Sequence, residues 1–195
     1  MVRARPAAPA VTAARPEPRP VPRPVPRVQS LSRADLAAVA RLDALHTGQA
    51  KRRYWQEVFQ GFVPGGRDRS AGRRSRRTLR LALGVKVSGR LAGYLFGEVR
   101  AFEFGSPPCG WIFAVGVDPG LSRQGVASAL LEEACARFRS AGVGQVRTMV
   151  RRTDVPVLSF FRSRGFVGGP FVQLERDVAK GQEEGPPPPA REEAR

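Results

Sequence analysis

Val115-Gly116-Val117-Asp118-Pro119-Gly120-Leu121-Ser122-Arg123-Gln124-Gly125-Val126-Ala127-Ser128-Ala129-Leu130-Leu131 is the stretch on which the reading of this chain turns. An apolar strand ends at Val117, and Asp118-Pro119-Gly120 breaks it. A small-residue turn then opens into a helix whose apolar face is Val126, Leu130, Leu131, Ala134 and Phe138. The first-turn amides of such a helix lack intrahelical acceptors and carry the positive end of its dipole, which suits a phosphate or pyrophosphate. Gly125 and Ala127 lack bulk, so ligand oxygens can approach the backbone, and Arg123 adds a mobile positive charge. The turn is not a P-loop, since no Gly-Lys-Ser/Thr follows, nor a dinucleotide fingerprint, since the three-glycine spacing is missing.

Upstream, an apolar period of two begins at Thr78, with Leu79, Leu81 and Leu83 alternating with Arg80 and Ala82. Val87-Ser88-Gly89-Arg90 is a two-residue hairpin signal, residues 91–104 read as the returning strand, and 110–117 as a third. Downstream of the helix over 124–140, residues 144–151 read as a strand, 154–164 as a helix and 166–177 as a closing strand or hairpin. Nearer the N-terminus, Ser32 and Asp35 form a capping-box variant ahead of Leu36, Val39, Leu42 and Leu45, a helical pattern that runs to Gly48. A second, basic helix over 49–60 turns Tyr54, Val58 and Trp55 inward, and 61–77, rich in Gly, Arg and Ser, reads as an exposed mobile loop. The order ααβββαβαβ predicts an α/β (α+β) fold: a mixed, mostly antiparallel central sheet with helices on both faces.

The chain has 195 residues, and its ends stand apart from this pattern. Residues 1–29 hold six Arg, one Glu and the run Arg-Pro-Val-Pro-Arg-Pro-Val-Pro-Arg at 19–27, which favours extended polyproline conformation. Neither 1–29 nor 178–195 can bury enough apolar surface to offset its ordering entropy, so both are expected to be disordered tails around one domain at 30–177. No uncharged apolar run reaches the ~18 residues of a membrane span, and no apolar core of a signal peptide is present, so a cytoplasmic protein is expected. Cys109 and Cys135 cannot make a disulfide framework or a four-ligand zinc site, and they read as buried thiols in a reducing compartment. His46, the single histidine, reads as a helix-surface or core residue, which removes histidine-based triads and multi-histidine metal sites. The net charge of +16 divides as +5 in the N-terminal tail, +12 in 30–177 and −1 in the C-terminal tail. Residues 51–80 alone carry a surplus of eight positive charges, which favours anionic partners. Nucleic acid is not the favoured one, because no groove-reading motif accompanies the basic run.

Ser122-Arg123-Gln124-Gly125-Val126-Ala127, preceded by Val117-Asp118-Pro119, resembles the hallmark of the GNAT superfamily of acetyl-CoA-dependent N-acetyltransferases. That hallmark is a strand ending in Val-x-Pro, then Arg/Gln-x-x-Gly-x-Gly/Ala at the mouth of a helix. Ser122 replaces the usual Arg or Gln, while the Gly and Ala positions match. Asp154-Val155-Pro156-Val157-Leu158-Ser159-Phe160-Phe161-Arg162-Ser163-Arg164-Gly165-Phe166 is similar to a second family segment, with Asp154 where Asn is common and Phe161 where Tyr is common. With the Leu36–Leu45 helix as the family's first helix, the resemblance covers roughly residues 28–178.

The resemblance implies acetyl-CoA as acyl donor, with no metal, and direct attack by a neutral amine without a covalent enzyme intermediate. Val115 would supply the backbone amide that polarises the thioester carbonyl, and Val115, Gly116 and Val117 would bond the pantetheine arm where two parallel strands splay. Ser122, Arg123, Gln124, Gly125, Val126, Ala127 and Ser128 would hold the pyrophosphate, with Asp154 and Phe161 also at the donor. Trp111 stands where many members carry a Glu base. Of the nearby carboxylates Glu98 and Glu103, the second is favoured, because Phe102 and Phe104 beside it would raise its pKa to a useful value. The amine is a small molecule or a protein lysine or N-terminus; a homodimer stays open. The rival reading is a catalytically lapsed fold of this family that binds acyl-CoA or nucleic acid.

Overall fold

In the computed structural model, which describes residues 25–63, 79–101 and 105–178, the chain runs β1 (Val28–Ser30), α1 (Leu36–Thr47), α2 (Arg52–Phe62), β2 (Arg80–Val87), β3 (Arg90–Arg100), β4 (Cys109–Val117), α3 (Val126–Ser140), β5 (Val146–Thr148) and α4 (Val155–Ser163). Two compact units result, one up to Met149 and one from Val150. The first holds a five-stranded sheet in the order β1-β2-β3-β4-β5, antiparallel except for the parallel β4–β5 pair. This is the mixed, mostly antiparallel sheet that the alternating apolar pattern predicts.

The β2–β3 connection has Ser88 and Gly89 at φ 49° and 76°, the two positive angles of a type I′ turn matched to strand twist. Ser32 and Asp35 do form the cap: the Ser32 backbone N–H and hydroxyl donate to Asp35 Oδ2 at 2.9 and 2.8 Å. One sheet face carries α1 and α2 through Val39, Leu42, Trp55, Phe59, Tyr94 and Phe96. The other carries α3, whose buried residues are Val126, Leu130, Leu131, Ala134 and Phe138, as its periodicity predicts. Phe138 lies against a floor without side chains, for a Cβ at Gly110 would come within 2.5 Å of its ring.

Several expectations need correction. On α2, Trp55 and Phe59 point inward while Tyr54 stays 43% exposed. The indole wins the buried position because its Nε1–H reaches the Asp43 carboxylate at 3.0 Å and its rings meet Tyr94 and Phe96 at centroid distances of 5.4 and 5.3 Å. Leu45 is correspondingly exposed on α1, and Asp43 is buried as that acceptor. The strand expected over 144–151 shrinks to Val146–Thr148, since β4 offers β5 only Gly110–Ile112 as a ladder. The stretch 166–177 forms no strand: Gly168-Gly169-Pro170 interrupts its alternation, and Val167, Val172 and Leu174 are exposed. Folded structure also starts earlier than expected, because β1 pairs Val28 with Val85 inside the segment assigned to the tail. Residues 1–24, 64–78, 102–104 and 179–195 lie outside the described residues, so the remaining tail expectations and most of the loop expected over 61–77 fall there.

Candidate active site

One extra residue in β4 organises the site. The β3–β4 register passes from Gly97↔Ile112 to Phe96↔Ala114, leaving Phe113 as a bulge. Before the bulge, the Gly110 N–H donates to Gln145 O at 2.8 Å and the Ile112 carbonyl accepts from the Thr148 hydroxyl at 2.9 Å, both toward β5. After it, the Asp118 N–H donates to Ala92 O of β3 at 2.8 Å. Antiparallel alternation then turns the backbone groups of Val117 and Val115 away from β3. They face the side β5 has left, since the parallel ladder ends at Ile112↔Thr148. The strand therefore continues for five residues, Phe113 to Val117, along an edge that no strand occupies among the described residues.

The same strand end leads into the small-residue turn. Asp118 Oδ1 accepts the Gly120 N–H at 3.0 Å and caps a 3-10 turn over Pro119–Leu121. Arg123 and Gly125 both take left-handed conformations, φ 60° and 81°, and Gly125 is the N-cap of α3. The first intrahelical bond runs from Ala129 N to Gly125 O, so the amides of Val126 and Ala127 precede it and carry the dipole's positive end. Among the described residues, a Cβ on Gly125 would meet nothing nearer than Pro26 Cδ at 3.8 Å, so none of them closes the mouth of the helix. A strand edge that no strand occupies and a helix N-terminus open among the described residues, in one continuous segment, fit a ligand with an amide-bearing arm and a pyrophosphate.

The family model described as "Acetyltransferase (GNAT) family" matches residues 47–166, more than half of the chain. This chain belongs to the GNAT family. A mycothiol acetyltransferase from Saccharomonospora viridis is 30% identical over 103 residues, which are 51% of this chain and 32% of that protein, so the match spans about a third of that relative's length. Among solved structures, an aminoglycoside 6'-N-acetyltransferase from Acinetobacter haemolyticus superposes with TM-score 0.60 at 18% identity, covering 78% of this chain and 99% of its own. A ribosomal-protein-alanine N-acetyltransferase from Brucella melitensis biovar Abortus gives 0.59 at 15% identity over 78% and 99%. An aminoglycoside N-acetyltransferase in complex with CoA gives 0.58 at 14% identity over 77% and 98%. At these identities the structures establish the GNAT fold.

Trp111 carries the Arg100 guanidinium over its ring at 4.7 Å. Glu98 is held by Arg100 at 3.1 Å and Arg80 at 3.7 Å, so its carboxylate is engaged on both oxygens. Glu103 lies outside the described residues. In the second unit, Asp154 Oδ1 accepts the Val157 N–H at 3.2 Å and caps α4, while Phe161 packs edge-on against Phe160 and Phe166 at 5.2 and 5.0 Å. Among the described residues, no group of three or more His, Cys, Asp or Glu side chains could hold a metal ion, and no helix is long and apolar enough to cross a membrane. His46, which the sequence reads as a helix-surface or core residue, contacts the site directly: its Nε2 lies 2.8 Å from the Val117 carbonyl oxygen. No local pattern signals a contact across 71 residues of chain.

Proposed function

We propose that this chain transfers an acetyl group from acetyl-CoA to a primary amine, with both substrates bound together. The carrying observation is the continuity of the β4 edge that no strand occupies among the described residues, Phe113 to Val117, with the turn at Gly125. Acetyl-CoA supplies the activated acetyl group as a thioester. The Val115 N–H, turned to the open edge, donates to the thioester carbonyl oxygen where negative charge develops. Val117 extends the edge along which the pantetheine arm lies, while the backbone groups of Gly116, expected from the resemblance to bond the arm as well, face β3 in the register with Tyr94. The turn Ser122, Arg123, Gln124, Gly125, Val126, Ala127 and Ser128 receives the pyrophosphate, through backbone donors that do not depend on Ser122 replacing Arg or Gln.

Glu103 is the base in this reading, because Glu98 is tied to two arginines. Phe161 has no hydroxyl and gives no proton to the departing thiolate; a thiol with a pKa of ~8.5, by analogy with cysteine, leaves near neutral pH without one. Asp154 caps α4 through the Val157 N–H and enters this reading by the family resemblance. The excess of positive charge in 30–177 disfavours free polycations and favours an amine in acidic surroundings. The chain is placed in the cytoplasm on its composition. Calorimetry with acetyl-CoA, followed by thiol release over a panel of small amines and lysine or N-terminal peptides, tests the proposal. Saturable binding with amine-dependent thiol release is expected. Binding without release for any amine would favour the lapsed binding module, for which Trp111 under Arg100 and the hydroxyl-free Phe161 speak.

A further inference from the structure

His46 stands in the last turn of α1 and is solvent-exposed. A carbonyl only accepts, so at 2.8 Å from Val117 O its Nε2 carries the hydrogen and donates, in the neutral and the cationic ring alike. The peptide between Val117 and Asp118 is thereby gripped from both sides. Its oxygen is tied to α1 through His46, and its N–H is tied to β3 through Ala92 O at 2.8 Å. This peptide is also the joint of the site. Before it runs the unpaired β4 edge; after it Asp118 starts the turn, its side chain accepting from Gly120 at 3.0 Å and its carbonyl from Leu121 at 2.8 Å.

A peptide plane held on one side can still tilt, and one held on both sides cannot. We propose that His46 is a positioning residue that fixes the angle between the strand edge and the pyrophosphate turn. This rests on the acetyl-CoA reading above. A donor that engages both subsites at once gains from their being held at the right mutual geometry, as two linked binding events do. A ligand that touches only the turn gains nothing from it. The Val117 oxygen keeps a second lone pair, so the grip leaves it able to accept from a bound ligand.

Calorimetry on the full chain separates these cases, with CoA as the spanning probe and adenosine 3'-phosphate 5'-diphosphate as the probe of the turn alone. His46→Ala and His46→Asn, whose amide is too short to reach the carbonyl, should bind CoA about 5- to 10-fold more weakly, the worth of one net hydrogen bond. Both should bind the nucleotide within about 2-fold of wild type, and His46→Gln, whose longer amide restores an N–H donor, should recover CoA affinity. Unchanged CoA affinity in both loss variants would overturn the positioning role alone. So would an equal loss for CoA and nucleotide, which marks damage to the turn itself. A wild-type chain that binds neither probe overturns this proposal and the acetyl-CoA reading together.

Discussion

Gly125 offers the sharpest test of where the pyrophosphate sits, because strain and charge can be varied separately there. Its φ of 81° costs a side-chain-bearing residue about 1–2 kcal/mol. Among the described residues there is no added clash, since the nearest atom to a new Cβ is Pro26 Cδ at 3.8 Å. Gly125→Ala should therefore fold and melt lower by ~2–8 °C, and Gly125→Asn, which tolerates left-handed backbone, by less. Gly125→Glu carries the same strain plus a carboxylate at the mouth of α3. A unit charge about 4 Å from a phosphate charge costs ~1 kcal/mol in bulk water and ~4 kcal/mol at the effective dielectric of a protein surface. Relative to Gly125→Ala, the expected loss of CoA affinity is thus about 5- to 1000-fold, shrinking as salt is raised. Calorimetry gives the affinity and thermal melting the fold. If Gly125→Glu is folded and binds CoA as tightly as Gly125→Ala, the pyrophosphate does not lie at this turn.

Three further outcomes are expected. Glu103→Gln should lower turnover by ~10²–10⁴-fold near neutral pH with CoA affinity intact; an unchanged pH–rate profile would pass the role to water. Asp43→Ala should destabilise the fold by about 1.5–3 kcal/mol, read by urea unfolding, because the Trp55 Nε1–H loses its acceptor at 1% exposure; Lys51, 35% exposed, adds little. Burial pushes the Asp35 carboxyl up, but the Lys86 ammonium at 2.7 Å and the Ser32 donors outweigh it and hold it below the ordinary aspartate value. A depressed folded-state pKa gives stability that is present above the unfolded value of ~3.9 and lost as pH falls through the folded one. Asp35→Asn should therefore flatten the acid limb of a stability–pH curve, and an identical limb in the variant would assign it to other carboxylates.

Much of the frame is legible in the sequence because local chemistry decides it. Ser88-Gly89 is compatible with two positive φ angles, Ser32 and Asp35 satisfy each other within one turn, and the 3.6-residue period of α3 names its five buried residues correctly. Failures cluster where a distant partner decides. Whether Tyr54 or Trp55 turns inward depends on Asp43, whose carboxylate accepts the indole N–H. The length of β5 depends on how much of β4 it meets. The apolar residues of 166–177 promise a strand, but a strand requires an edge to pair with, and period alone cannot supply one.

The bulge at Phe113 shows why the site lies one level beyond such patterns. Along 110–117 the sequence reads as an uninterrupted apolar strand, and its alternation alone would put the backbone groups of Gly110, Ile112, Ala114 and Gly116 on one edge. One extra residue inverts that parity, so Gly110 and Ile112 serve β5 while Val115 and Val117 present their groups to the vacated side. The inversion matters only because β5 stops at Thr148, whose hydroxyl closes the ladder on the Ile112 carbonyl. Had β5 run on, those groups would be consumed in a ladder; without the bulge, the edge beyond Ile112 would present Ala114 and Gly116 instead. An edge that exposes the Val115 N–H and ends in the turn at Gly125 therefore needs the bulge and the short partner strand together. Neither leaves a mark in residue type, which is why the turn at Gly125 can be proposed as a phosphate site from the sequence while the proposed donor at Val115 comes from the resemblance alone.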